Sequence, residues 1–440
     1  MGTTLADPRA LLRLASAFLF GSATRRALAF ALTLTCVSTT IADDPPEVAW
    51  THQFGSAEPD ITAGIAVADD GTILAAGYTM GAVDAGASAG GFDVFVQAIG
   101  PDGEPSWARQ LGSGDDDFAE AIAAGPEGRI AVVGQTDGGL AGPSSGETDG
   151  FLVVLDARGV TLWERTLGTP ADDVASGVAF APDGSLVVAG WTGGDLAGSS
   201  AGGEDAFLVA FDAQGAERWN RQFGTPEDDR LRAVAIGDGG DIAVAGQTRG
   251  SLDGASGGGW DAFVRRHGAD GAASATSQFG GGLDEYAYAV AFAPDGGLLT
   301  AGAGPSGEDD RGAEPAFVRS FDASGSERWS YAFGPTRRDM RYGLAVAADG
   351  GAFVVGGTEG DVAGEVRGVA DAFLIALDTG GQLRWASQFG SDAFDGAHGV
   401  VATRDGLHVV GTARGPIEGA SFDVVGAGGF VRAYEIDDAR

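Results

Sequence analysis

The feature that most constrains this chain is a sequence unit of about 56 residues that recurs seven times. Each unit contains an aromatic residue or a leucine followed by glycine, and neighbouring copies lie 54 to 57 residues apart. These anchor residues are Phe54, Leu111, Leu167, Phe223, Phe279, Phe333 and Phe389. A fixed period of this length is typical of architectures in which each unit is one supersecondary element. The seven units account for residues 43–440, which we therefore treat as one domain.

Within a unit, four apolar runs of strand length alternate with short turns. In the third unit they are 177–181, 186–190, 205–211 and 217–223. Turn sequences such as Pro-Asp-Gly at 182–184 separate them and indicate hairpins. Four short antiparallel strands, repeated seven times, predict an all-β, seven-bladed β-propeller.

Side-chain size along the unit supports this fold. The first strand of each unit is rich in glycine and alanine, which suits the narrow channel at the axis of a propeller. The last strand usually carries a tryptophan, which we expect to fill the wider gap between blades near the rim. These residues are Trp50, Trp107, Trp163, Trp219, Trp329 and Trp385. Ala275 takes the tryptophan position in one unit, so that joint is predicted to pack less well.

The two ends of the domain also complement each other. The last unit stops after its third strand, at 430–434, while an unmatched fourth strand occurs at 47–54. Pairing these segments would close the ring and remove the exposed sheet edges. The N-terminal strand is therefore predicted to complete the last blade.

Taken together, the repeated elements resemble the SBBP family, the seven-bladed β-propeller repeats of bacterial exported proteins. The matching elements are W-x-R-Q-F-G-T, an acidic residue six positions after the anchor, G-V-A-F-x-P-D-G, V-V-A-G-W-T and G-G-x-D-A-F-L-V-x-F-D-x-x-G. They extend over residues 47 to 436. The resemblance implies an extracytoplasmic propeller of largely unassigned activity and does not imply a reaction.

A second resemblance concerns the segment 211–219, which looks like the docking motif of quinoprotein propellers. That resemblance implies a basic side chain at the quinone, often lysine, and sometimes a vicinal cysteine pair. This chain contains no lysine, and its one cysteine is Cys36. A quinone oxidoreductase is therefore disfavoured.

The N-terminal segment has the pattern of a secretory signal. Arg25 and Arg26 precede an apolar run at 27–37, and small residues follow up to Ala42. This order predicts a signal peptide over 1–42 and a secreted, periplasmic or cell-surface protein. Export through a twin-arginine route and lipid attachment at Cys36 remain open alternatives. The run is too short to span a membrane, and removal of Cys36 would leave no thiol for a disulfide.

The formal net charge is −35, with 62 acidic residues against 27 arginines. A surface of this sign repels nucleic acids and anionic lipids, so we exclude a nucleic-acid partner. We expect a monomer whose partner is an unidentified protein or glycan at the cell envelope.

Two sets of acidic residues recur at fixed positions of the unit. The first set is Asp60, Asp117, Asp173, Asp229, Glu285, Asp339 and Asp395. The second set, at the start of the third strand, is Asp93, Asp149, Asp205, Asp261 and Asp371. Propeller topology places both on the face that carries the long Gly-rich loops, around the mouth of the channel. Such carboxylates either accept hydrogen bonds from loop N–H groups or bind a cation such as calcium.

Catalytic residues are not evident in the repeat. The histidines His52, His267, His398 and His408 fall at unrelated positions and show no zinc-ligand spacing. His398 lies near Asp395 at the predicted channel mouth, which is a weak catalytic signal.

The interpretation we favour is a non-catalytic binding or interaction scaffold that uses the loop face. The alternatives are a purely structural cell-surface protein and an enzyme, a lyase or hydrolase, that uses the channel mouth. Features present in every blade explain the fold, so function is expected where one blade differs. The fifth unit, with Ala275 and the loop 302–314, differs most.

Overall fold

A computed structural model describes residues 44–436, except 84–87, 255–256, 305–314, 335–339, 405 and 423–427. The predicted signal peptide, Cys36 and Asp339 lie outside these residues, as does most of the loop 302–314. No described helix is long and apolar enough to cross a membrane.

The chain forms seven sheets that follow one another in sequence order, with antiparallel neighbours. Blade 1 consists of β2 (Asp60–Val67), β3 (Ile73–Thr79), β4 (Asp93–Ile99) and β5 (Pro105–Leu111). Blade 2 consists of β6 (Asp117–Gly125), β7 (Arg129–Thr136), β8 (Asp149–Leu155) and β9 (Thr161–Leu167). Blade 3 consists of β10 (Asp173–Phe180), β11 (Leu186–Thr192), β12 (Asp205–Phe211) and β13 (Glu217–Phe223).

The second half of the ring repeats this arrangement. Blade 4 consists of β14 (Asp229–Ile236), β15 (Ile242–Thr248), β16 (Asp261–His267) and β17 (Ala273–Phe279). Blade 5 consists of β18 (Tyr286–Phe292), β19 (Leu298–Ala303), β20 (Ala316–Phe321) and β21 (Glu327–Phe333). Blade 6 consists of β22 (Met340–Val346), β23 (Ala352–Thr358), β24 (Asp371–Leu377) and β25 (Leu383–Phe389). The predicted all-β, seven-bladed propeller is confirmed.

Blade 7 combines both ends of the domain, as predicted. It contains β26 (Asp395–Ala402), β27 (Leu407–Ala413), β29 (Gly428–Tyr434) and the N-terminal β1 (Val48–Phe54). Strand β1 pairs antiparallel with β29, from Val48 opposite Tyr434 to Phe54 opposite Gly429. A two-residue strand, β28 (Ser421–Phe422), pairs in parallel with the free side of β1.

Small residues at the axis allow the innermost strands of neighbouring blades to touch. A Cβ atom added to Gly177 in blade 3 would lie 3.3 Å from the Cα atom of Ala233 in blade 4. At Gly343 in blade 6 it would lie 2.7 Å from the Cα atom of Gly399 in blade 7. Larger side chains at this level would push the blades apart.

The rim tryptophans do more than fill the gap between blades, because most of them also donate a hydrogen bond to a turn of the next blade. The Trp50 ring of blade 7 lies against the turn between the last two strands of blade 1. Gly103 of this turn has a φ of +85°, and a Cβ atom added to it would lie 2.8 Å from the Trp50 indole. The Trp50 Nε1–H donates to the Pro101 carbonyl of this turn, at 3.2 Å. Trp107, Trp219 and Trp329 repeat this hydrogen bond to Ala157, Ala269 and Thr379. At the joint with Ala275, the Ser277 hydroxyl donates to the Gly325 carbonyl of the corresponding turn at 2.7 Å.

We expect deletion of residues 47–54 to destabilise the whole propeller, because it would expose the apolar face and the unpaired edge of β29. Thermal unfolding followed by circular dichroism measures this effect. A synthetic peptide spanning 44–56, added back to the truncated protein, should restore part of the lost melting temperature. If the truncated chain melts like the intact one, β1 does not close the ring.

Candidate functional site

The first acidic set lies at the start of the innermost strands and is buried. Every described member is at most 5% exposed. Each carboxylate accepts a hydrogen bond from the backbone N–H four residues earlier, in the connection from the preceding blade. The donors are Ser56, Ser113, Thr169, Thr225, Gly281 and Ser391, at 2.5–2.8 Å. These side chains therefore hold their own connections and do not project freely into the channel.

The second acidic set braces the long loop between the second and third strands. All five residues are buried, and each accepts a hydrogen bond from a loop N–H four residues earlier, at 2.7–3.1 Å. In four blades a glutamine of the outermost strand donates its side-chain N–H to the same carboxylate. These glutamines are Gln110, Gln222, Gln278 and Gln388.

The two sets meet in pairs around the glycine that follows the anchor. At Gly224, a Cβ atom would lie 2.2 Å from Asp205 Oδ1 and 2.9 Å from Asp229 Oδ2. The Oδ1 atoms of both aspartates are buried and have no hydrogen-bond partner in the described part of the chain. Asp93 with Asp117, and Asp149 with Asp173, repeat this arrangement of buried Oδ1 atoms. The anchor glycine is thus required because two carboxylates occupy the space of a side chain.

Burial controls the ionisation of the first set. Removal from solvent raises the pKa of Asp60, Asp117, Asp173, Asp229 and Asp395, against the opposing effect of their hydrogen bonds. The neighbouring carboxylate of the second set raises the pKa further, as Asp205 does for Asp229. Among the described residues, no group of three or more His, Cys, Asp or Glu side chains is arranged to hold a metal ion. Calcium binding at these acids stays a prediction.

A different ring of residues lines the channel, three positions after each acid. The pairing of each innermost strand shifts register there, for example between Leu231 and Ala233 in β14, which marks a β-bulge. Bulges redirect a side chain and recur beside functional sites. We name the seven residues at this position the channel ring. They are Ala63, Glu120, Ser176, Arg232, Tyr288, Tyr342 and His398.

The channel ring opens into a cavity of about 200 Å³. Beneath the ring the wall is formed by the small residues of the axis, such as Gly177 and Ala233, and then by a layer of branched residues such as Val178 and Val234. The ring is the part of the channel wall where the side chain changes chemistry from blade to blade. A cavity of this size suits a small molecule.

Several side chains of the channel ring contact neighbouring strands or one another. Arg232 donates its Nε–H to Gln247 Oε1 at 3.3 Å. The His398 Nδ1 atom lies 2.6 Å from the Thr62 carbonyl oxygen, so Nδ1 carries the proton and Nε2 is the basic nitrogen of the neutral ring. The Tyr288 ring centroid lies 6.2 Å from that of Tyr342.

A second non-repeating cluster lies where blades 3 and 4 meet on the loop face. The Arg230 guanidinium lies between two indoles, 4.7 Å from the Trp191 centroid and 5.3 Å from the Trp260 centroid. Arg249 lies 4.6 Å from the Trp260 centroid. Glu204 pairs with Arg230 and Asp228 pairs with Arg249. We call Trp191, Arg230, Trp260 and Arg249 the Trp–Arg stack.

Reasoning from the sequence found the acids but missed most of the channel ring. Of its members, the sequence singles out only His398, through its neighbour Asp395. The available signal was variation at a fixed register: the residue three after each acid is Ala, Glu, Ser, Arg, Tyr, Tyr or His. The Trp–Arg stack was also missed because its members come from different elements of two blades.

Comparisons with known proteins agree with the fold but do not identify a family. No family model matches the chain. It is 33% identical over 248 residues to regulatory protein FlaEY of Caulobacter vibrioides, a match that covers 51% of this chain and 24% of FlaEY. The chain thus spans about a quarter of the length of that relative.

Two solved structures are similar to the chain at low sequence identity. A polysaccharide lyase, an ulvan lyase, matches with a TM-score of 0.50 at 10% identity, over 87% of this chain and 96% of the lyase. A puromycin hydrolase matches with a TM-score of 0.46 at 17% identity, over 86% of this chain and 54% of the hydrolase. At these identities the likeness extends to the fold alone.

The raised pKa values of the first acidic set predict a specific pH dependence. Because the pKa is higher in the folded state, the folded protein binds protons at a pH where the unfolded chain does not. The free energy of unfolding should therefore rise as the pH falls from 7 towards about 4, where unfolded aspartates begin to protonate. Asp229→Asn should reduce this rise, measured by urea unfolding at pH 7 and pH 5.

The matched control is Asp156→Asn in an exposed turn. The backbone N–H groups of Val160 and Arg158 lower the pKa of Asp156, so it titrates below this pH window. Its substitution should leave the difference between pH 7 and pH 5 unchanged. An equal rise in wild type and Asp229→Asn would show that the buried acids do not control it.

Proposed function

We propose that this protein is an exported propeller of the SBBP type that acts as a non-catalytic binding scaffold through its loop face. The observation that carries this proposal is a contrast between two kinds of residue. Some residues recur in the blades and hold the fold, which we call the frame, whereas others differ from blade to blade. The buried acids and anchor glycines recur from blade to blade, whereas the channel ring and the Trp–Arg stack do not. Residues that hold the frame explain the fold, and the residues that vary upon it are available for recognition.

The Trp–Arg stack supports a macromolecular partner. Tryptophan and arginine are the residue types that most often dominate binding energy at protein interfaces. The two guanidinium groups of the Trp–Arg stack are held in place before binding, since Glu204 pairs with Arg230 and Asp228 pairs with Arg249. Preorganised side chains lose little entropy when a partner binds. A protein or glycan of the cell envelope is the partner class we propose.

Export is supported by the N-terminal sequence and by the resemblance to bacterial exported repeats. Arg25, Arg26 and the apolar run at 27–37 have the order of a secretory signal. The likeness to FlaEY, which is named a regulatory protein, fits a role in interaction.

We extend the proposal to calcium binding at the two acidic sets. Different melting temperatures in calcium and in chelator would support it, and equal melting temperatures would contradict it.

The Trp–Arg stack is tested by Trp191→Ala and Arg249→Ala. We expect each substitution to weaken binding of the partner captured from an envelope extract by about thirtyfold or more, because hot-spot residues contribute about 2 kcal/mol or more. Arg221→Ala is the matched control, since Arg221 lies 5.5 Å from the Trp219 ring centroid, outside the Trp–Arg stack. Capture that is equal in wild type and both stack variants would contradict the proposal.

A second candidate function is an enzyme that uses the channel mouth, and His398 is the observation that favours it. Its basic Nε2 belongs to a side chain in the same ring as Arg232 and Tyr288, a combination able to move a proton and stabilise negative charge. A panel of ester and polysaccharide substrates tests this function. Removing a general base costs about 10²–10⁴-fold in rate, so His398→Gln should abolish any activity found, while His408→Gln should retain it.

A further inference from the structure

Three consecutive blades place an acid, a hydroxyl and a base at the same level of the channel. Glu120, Ser176 and Arg232 are the ring residues of blades 2, 3 and 4, each at the bulge of its innermost strand. The strands that carry Ser176 and Arg232 are in contact, since a Cβ atom on Gly177 would lie 3.2 Å from the Val234 backbone nitrogen. The two opposite charges are therefore separated by a single blade.

The hydroxyl between these charges is a polar group that a ligand could satisfy. Ser176 is 7% exposed and belongs to the channel wall, and its Oγ atom, which is itself buried, has no hydrogen-bond partner among the described residues. A buried hydroxyl without a partner costs about 1–3 kcal/mol, so a ligand that hydrogen-bonds to it would recover that energy.

The base is already oriented. Because Nε of Arg232 donates to Gln247, the plane of the guanidinium is set by the neighbouring strand β15. Its two terminal nitrogens form the fork that matches a carboxylate. On the next blade, Tyr288 adds an aromatic side chain to the lining of the same cavity.

The size of the cavity and the charge of the protein restrict the ligand. A volume of about 200 Å³ holds roughly six or seven waters at ~30 Å³ each, which matches a small molecule. The field of a protein with net charge −35 opposes the approach of an anion. Arg232 opposes a simple cation within the ring. A molecule that carries both charges and has no net charge is repelled neither by the negative field of the protein nor by Arg232.

We propose that the channel ring binds a small zwitterion, a molecule with one carboxylate and one ammonium group such as a free α-amino acid. Arg232 receives the carboxylate, Glu120 receives the ammonium group, and the Ser176 hydroxyl bonds to the ligand between them. The side chain of the ligand lies towards Tyr288. This inference rests on the proposed function, because it assigns a ligand to the binding face.

Isothermal titration calorimetry of the full chain at pH 7 tests the proposal. The probes are glycine, L-alanine and L-phenylalanine, with acetate and ethylammonium as single-charge analogues. At least one amino acid should bind, and both analogues should bind at least about tenfold more weakly, since each retains one charged contact. Arg232→Gln and Glu120→Gln should each weaken amino-acid binding by about tenfold or more, and Ser176→Ala by a smaller factor.

The controls separate ligand recognition from folding. Arg221→Gln and Glu164→Gln change the same charges on outer strands and should bind like wild type. Thermal melting shows whether each variant is folded. If Arg232→Gln unfolds, Arg232→Lys replaces it. Lysine keeps the positive charge but not the two-nitrogen fork, so the affinity for the amino acid should still fall.

Each other result overturns the inference in an identifiable way. Acetate binding as tightly as amino acids would assign an anion site, and ethylammonium doing so would assign a cation site. No binding by any probe to a folded wild type would show that the ring residues serve only one another. The proposed function survives such a failure if partner capture still depends on Trp191, and both fail if it does not.

Discussion

The structure depends on the buried carboxylates at the joints between blades. In each complete pair, one acidic residue holds the connection that enters a blade, and an aspartate holds the long loop of the preceding blade. Asp229 and Asp205 do this on either side of Gly224, and both are fully buried. An unmade hydrogen bond to a buried carboxylate is costly, so the loop conformations are strongly specified. The loop face is therefore ordered by polar contacts, while the apolar residues between blades supply most of the burial.

The same joints set the height of the channel ring. The bulge lies three residues beyond the buried acid, so a fixed acid fixes where the extra residue of each innermost strand enters the channel wall. A propeller of this kind can change the chemistry of its channel by substituting one residue in one blade. The small residues immediately below the ring have no such freedom, because at Gly343 a Cβ atom would come within 2.7 Å of Gly399.

The sequence predicts the frame well because the frame is repeated. The strands, the closure by β1 and the two acidic sets follow from period, turn chemistry and the unmatched strand at 47–54. The tryptophans were predicted as rim fillers, yet their hydrogen bonds to turn carbonyls could not be read from one blade, because the acceptor lies in the next. The channel ring was missed for a related reason. A bulge depends on pairing between strands, and strand-period reasoning assigns its residue to the wrong face.

Departures from the repeat also extend into the interior of the propeller. Where the third strand of blade 3 has Val209, blades 4, 5 and 7 carry an arginine at the equivalent position. The guanidiniums of Arg265, Arg319 and Arg432 lie 4.2–4.4 Å from the anchor phenylalanine of the preceding blade. Burial lowers the pKa of Arg265, and the nearby Asp229 opposes that effect. Blade 4 also contributes Arg230 and Arg232 to the loop face and the channel. Blade 4 thus places arginines at both candidate binding surfaces of a chain that is strongly acidic as a whole.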